Sequence, residues 1–245
     1  MSVPRIFSPS RRAARTSRHQ RLALADPSAQ FLASHLADDV LDRLEFMRKA
    51  PGKALVQGDP AGLLRAPLAG RGHAVSTYRF DEEQPWPATG FDLAITLCQL
   101  DTVNDLPGAL IHARNALAPD GLFIAALTGA GSLPALRQIL LAADGERPAA
   151  RIHPQIDNLA ASGLMARAGF SRQVVDSYSL AVTWRSFAAM VADLRAQGLT
   201  NVLADPPPRL TRAALARANA AFAAMADDQG RVSETFELLT LTGWK

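Results

Sequence analysis

Apolar residues first settle into a helical rhythm over residues 27–50. Phe31, Leu32, Leu36, Val40, Leu41, Leu44 and Met47 recur at spacings of three and four, which lays them along one helix face. Pro51-Gly52 stops it. The pattern then alternates. A strand is expected at 53–57, a helix interrupted by Pro67 at 61–69, a second strand at 73–80 and a third at 91–97. A helix over 106–117 leads through Pro119-Asp120-Gly121 into a strand at 122–127, broken by Gly129-Ala130-Gly131. Residues 133–142 and 158–168 read as helices, the second closed by Gly169 as a C-cap. Residues 170–184 form one long strand or a bent pair. Helices at 186–197 and 212–226, separated by Pro206-Pro207-Pro208, precede a last strand at 234–243.

Alternating strands and helices predict an α/β protein, with a mostly parallel sheet covered by helices on both faces. A chain of 245 residues supports one substantial core. The expected organisation is a single domain over 27–245, carrying a helical insertion at 185–227 and preceded by a basic arm at 1–26. No apolar run reaches the ~18 residues of a membrane span. Cys98 is the sole cysteine, which excludes an internal disulfide and a thiolate pair; its default role is that of a small buried hydrophobe. The histidines show no metal-ligand spacing, so no metal is expected.

Charge adds one feature. The net charge is +3, yet Arg5, Arg11, Arg12, Arg15, Arg18 and Arg21 all precede the first acid, Asp26, so the rest of the chain is net acidic. These six residues are the expected partner-binding set, presented as an exposed basic face to an acidic protein surface. The alternatives are a helix packed at the domain edge with solvated arginines, an organelle presequence, and a weak, salt-dependent nucleic-acid contact without sequence specificity. The expected location is the cytoplasm, with organelle targeting left open. The stripe Leu215, Ala218, Phe222, Met225 suits close helix packing, on its own domain or on a second copy in a homo-oligomer.

The segments IFSPSRRAAR, ALVQGDPAG, FDLAITLCQLDTVNDLPGALIHARNALAPDGLFIAAL, MARAGF and LTGWK together resemble class I S-adenosylmethionine-dependent methyltransferases. The resemblance is to the branch holding the mitochondrial complex I assembly factor of methyltransferase fold and the biotin-pathway malonyl-carrier methyltransferase. It implies a Rossmann-like sheet and a cofactor cleft at the carboxyl ends of the first strands. Carried onto this chain, the cofactor-binding positions would be Gly58, Gly62, Asp81, Gln99 and Leu100.

Three departures bear on that cleft. The acid that ends the family's first strand is Val56 here, and the glycine turn reads Gly58-Asp59-Pro60-Ala61-Gly62. Proline removes an amide and fixes φ, and Asp59 brings a negative charge to where the cofactor's carboxylate would lie. Between Gly58 and Phe91 there is room for one strand–helix crossover rather than the family's two, since each takes roughly 30 residues. The family's Leu-His-Trp element is replaced by Gln99-Leu100-Asp101-Thr102. The resulting expectation is a methyltransferase-fold assembly or partner-binding factor without ordinary S-adenosylmethionine binding. The alternative is an active methyltransferase, or a related protein-arginine-modifying enzyme, with an unconventional pocket.

For catalysis the candidates are His153, a base by chemical type, and Asp101 at a strand's carboxyl end. Asp101, Asn104 and Asp105 make a polar cluster whose plainer reading is a helix cap plus loop residues. Trp86 with Asp81, Glu82 and Glu83 either lines a pocket or plugs the gap left by the lost helix.

Overall fold

The computed structural model describes residues 4–245. Helix α1 (Pro9–Ala25) is capped by Ser8, and a 3-10 turn at Pro27–Ala29 leads into α2 (Phe31–Phe46), so the helix expected over 27–50 is shorter and starts later. Strand β1 (Lys53–Gln57), α3 (Arg65–Gly70) and β2 (Ala74–Ser76) follow, then β3 (Phe91–Leu97). The second strand is far shorter than the 73–80 expected: no strand extends beyond Ser76, and Phe80 packs against Trp86 instead. Next come α4 (Leu106–Ala116), β4 (Leu117–Thr128), α5 (Pro134–Asp144), α6 (Asn158–Arg167) and β5 (Ser171–Trp184), a single long strand. The insertion contributes α7 (Phe187–Ala196) and α8 (Arg212–Ala224), and β6 (Val232–Trp244) closes the chain.

The sheet order is β2-β1-β3-β4-β6-β5. The pairs among β2, β1, β3 and β4 are parallel, and β6 runs antiparallel to both neighbours. In a doubly wound sheet the strand after β1 lies beside it and the next lies beyond. The retained β2 is therefore the inner strand, and the missing one is the outer edge strand.

Period-two alternation divides the core. Ala54, Val56, Leu93, Ile95, Leu122, Ile124, Phe236 and Leu238 point to the face covered by α2, α3, α5, α7 and α8. Leu55, Ala94, Phe123, Ala125, Leu239 and Leu241 point to the face covered by α4 and α6. The α8 stripe packs within its own domain: Ala218 and Phe222 are buried in the first cluster, while Leu215 is exposed.

Where the second crossover would supply a helix, Trp86 fills the space. It is 7% exposed, 5.1 Å from the Phe80 ring and 6.5 Å from Phe123, which stacks on Phe170. Its indole Nε1 is buried without a partner, so its contribution is apolar packing. Trp86→Ala should therefore cost about 3–5 kcal/mol and Trp86→Phe under about 1.5 kcal/mol, measured by urea unfolding.

Candidate functional site

The glycine turn, Gln99, Leu100 and Asp101 lie at the carboxyl ends of β1 and β3, where open α/β sheets place their ligands. The turn after β1 keeps its shape. Gly58 sits at φ +80° and packs so closely that a Cβ there would lie 2.0 Å from the Leu97 carbonyl oxygen. The Gln99 side chain folds over this same turn, donating through Nε2 to the Leu97 carbonyl at 3.1 Å.

Asp59 is paired within the loop. Its carboxylate accepts from the backbone amides of Leu63 (2.6 Å), Leu64 (2.9 Å) and Arg65 (2.9 Å). These are the free donors at the start of α3 that would otherwise face an anion. The chain's own carboxylate occupies them.

The cleft beside the turn is filled from the N-terminus. Arg12 Nη2 donates to Glu82 Oε2 at 2.7 Å, and Gln57 Nε2 donates to the other Glu82 oxygen at 2.7 Å. Arg12 also reaches the Gln99 carbonyl (3.4 Å) and stands 3.7 Å from Glu83 and 3.9 Å from Asp81. Burial pushes the Glu82 carboxyl upward, and the Arg12 guanidinium opposes that shift. Glu82 itself is 5% exposed.

One turn along α1, Arg15 is buried, donating to the Thr102 hydroxyl at 2.8 Å and standing 3.5 Å from Asp101. Asn104 fastens the segment before the helix: its Oδ1 accepts from the amides of Ile6 and Phe7, both at 2.8 Å. Phe7 is buried and bridges to Leu203. The only buried residues of α1 are Arg15 and Ala23, so guanidinium contacts hold the helix far more than apolar surface does.

These positions correct two sequence expectations. The six arginines do not form one exposed face: Arg12 and Arg15 point inward, Arg11 and Arg18 are half-buried against the Asn201 carbonyl and the Thr200 hydroxyl, and Arg5 and Arg21 alone are exposed. The buried acid of the cleft is Glu82, whereas Asp81 has an exposed side chain. Glu82 could not be preferred over its neighbours from sequence, because burial alone distinguishes it.

His153 does not stand ready as a base. Its Nε2 accepts from the Val202 amide at 2.7 Å, its ring meets Phe7 edge-on at 5.4 Å, and burial pulls its pKa down to about 4. Asp101 is engaged with Arg15, and Asp105 caps α4 through the Gly108 amide at 2.9 Å. The Cys98 thiol is pushed up to about 12, chiefly by burial, with the Asp101 carboxylate adding to the effect. Such a thiol is no nucleophile near neutral pH.

Two cavities of about 50 and 220 Å³ open around Asp101, Thr128 and Gln155, the larger one walled by Ile6, Phe7, Leu100 and Val103. Neither is lined by Gly58, Gly62, Asp81 or Gln99. Small-molecule sites usually measure about 300–1,000 Å³. In the cleft itself the Leu63, Leu64 and Arg65 amides after the turn are paired with Asp59, Arg12 reaches in to Glu82, and Leu100 is a buried core residue. Among the described residues no His, Cys, Asp or Glu group could hold a metal ion, and no helix is long and apolar enough to cross a membrane.

The sheet order and the helices on both faces define a class I methyltransferase fold. The chain belongs to the S-adenosylmethionine-dependent methyltransferase family, related to both the malonyl-carrier methyltransferase and the NDUFAF5 branches. It is 31% identical over 243 residues to the malonyl-[acyl-carrier protein] O-methyltransferase of Halorhodospira halophila, covering 87% of this chain and 81% of that protein. It is also 32% identical over 176 residues to the mitochondrial arginine-hydroxylase NDUFAF5 of Homo sapiens, covering 70% and 51%. The match to the Danio rerio arginine-hydroxylase is 29% over 218 residues, covering 87% and 65%. The chain thus spans about half to two thirds of the length of these arginine-hydroxylase relatives. The YcgJ protein of Bacillus subtilis shares the fold, at TM-score 0.52 and 12% identity over 86% of this chain and 98% of that one. No family model matches.

Two outcomes follow from this geometry. Arg12→Met leaves Glu82 buried without its cation and should destabilise the protein by about 3 kcal/mol, whereas Arg5→Ser and Arg21→Ser should stay within about 0.5 kcal/mol in urea unfolding. The second concerns pH. His153 has a folded pKa of about 4 against 6.5 when free, so the unfolded chain takes up its proton first as the medium acidifies. The stability that neutral His153 contributes is complete above 6.5 and declines as pH falls toward 4. Over that window the wild type should lose about 2 kcal/mol more than His153→Gln, a figure reduced for the ring's partial exposure.

Proposed function

We propose that this chain is a methyltransferase-fold protein that does not bind S-adenosylmethionine in the family's usual way and serves as an assembly or partner-binding factor. The observation that carries the reading is the Arg12–Glu82–Gln57 cluster, which places a side chain of the protein's own α1 in the cofactor cleft. Asp59 on the α3 amides supports it independently, since a bound carboxylate would have to displace one already paired there. A fold can outlive its cofactor because sheet packing and the cleft at its edge have separate requirements.

The partner surface in this reading includes the outward part of α1. Contact with an acidic protein would fall to Arg5 and Arg21, helped by the half-buried Arg11 and Arg18, with Arg12 and Arg15 holding the helix in place. The competing reading is an active methyltransferase, and what favours it is the relative covered over 81% of its length, whose name is that of a methyltransferase.

Calorimetric titration separates the two. The full chain titrated with S-adenosylmethionine and with S-adenosylhomocysteine should give no saturable heat at micromolar concentrations. One-to-one binding in that range would refute the proposal, and loss of that binding in Gly58→Val would locate it in the old cleft.

A further inference from the structure

The two edges of the sheet are unlike. One is β2, only three residues long, which offers little for another strand to pair with. The other is β5, fourteen residues with no proline and no lysine, and it ends the strand order with β6 as its only neighbour among the described residues. Irregular pairing between Ser171 and Val174 spoils its beginning, which leaves a regular stretch from Val175 to Thr183.

Which backbone groups face outward can be read from β6. Ser179 pairs with Glu237 and Ala181 with Thr235. The Glu237 carbonyl accepts from the Gly129 amide at 2.7 Å, and its amide donates to the Ser132 hydroxyl at 2.9 Å. The Thr235 carbonyl accepts from the Leu133 amide at 2.9 Å. Both residues thus direct these groups away from β5. In an antiparallel ladder, Ser179 and Ala181 then belong to non-hydrogen-bonded pairs, and their N–H and C=O groups point off the free edge. By alternation Ser177 and Thr183 do the same. All four of these residues are exposed.

We propose that β5 is a homodimer interface, pairing antiparallel with β5 of a second copy across a two-fold axis at Ser179. The register is self-complementary. Outward-facing Ser179 meets its own equivalent, Ser177 meets Ala181, and Val175 meets Thr183, so donors meet acceptors along the whole regular stretch. On one face the opposed side chains are small. On the other Tyr178 lies against Leu180, an aromatic–aliphatic cross-strand pair, and Asp176 lies opposite Val182 with no like charges facing. The joint joins the two six-stranded sheets into one. An interface built mainly on one strand pair sits at the small, weak end of the range, so the dimer dissociates on dilution.

Sedimentation velocity of the full chain through the micromolar range tests this, together with two variants that leave the β6 ladder intact. Ala181→Pro deletes an outward amide, which an edge strand tolerates. Ser179→Lys sets two ammonium groups against each other at the axis. The wild type and Ser179→Ala should move from monomer to dimer as concentration rises, while both blocking variants stay monomeric with unchanged circular dichroism. A wild type that remains monomeric overturns the proposal. So does a dimer that survives both variants, since its interface would then lie elsewhere. The outcome is independent of the cofactor titration, because no cleft residue lies in the joint.

Discussion

A carboxylate taken out of water needs a cation, and Glu82 has one in Arg12. Most of the functional end of this molecule follows from that requirement. To deliver the guanidinium, α1 must lie across the carboxyl ends of β1 and β3. To hold α1 there with almost no buried apolar surface, the chain uses Arg15 on Thr102 and Asp101, Asn104 on the backbone of Ile6 and Phe7, and Phe7 against Leu203. Burying a charge pair rarely adds much net stability, but removing one member is costly. Its effect here is to tie α1 to the cleft through Arg12, Glu82 and Gln57.

The same end of the fold shows that the cleft can change without damage to the sheet. The alternation that fills the two cores continues through β1, β3, β4 and β6 without regard to the cleft. Losing the outer crossover removes an edge strand and a helix. The central strands keep their neighbours, and Trp86 restores the lost cover on one face. Gly58 takes a left-handed conformation with the Leu97 carbonyl set against it, a position where a side chain would not fit. Asp59 pairs with the Leu63, Leu64 and Arg65 amides that follow the turn, and Gln99 with the Leu97 carbonyl at the end of β3.

The family and the architecture were legible in the sequence, since periodicity and the NDLP, PDG and GWK segments report local structure that holds wherever the chain packs. Val56 and Pro60 at the cofactor turn, and the room for one crossover, are likewise local facts. So is the N-cap at Asp105, whose spacing to Gly108 is fixed by the helix. By contrast, the sequence could rank neither Glu82 above Asp81 and Glu83 nor Arg12 and Arg15 above the other arginines of α1. Arg12 and Glu82 lie 70 positions apart. Only the folded chain decides which of several equivalent charges is drawn into low dielectric and which stay in water. His153 differs in the same way: its residue type suggested a base, and the Val202 amide on its Nε2 removes that role. The sequence by itself determined the sheet, its helices and the damage to the cofactor turn, because those depend on near neighbours and period. Which charges meet in the cleft was decided by tertiary structure, because burial and long-range pairing set the energy of a charge.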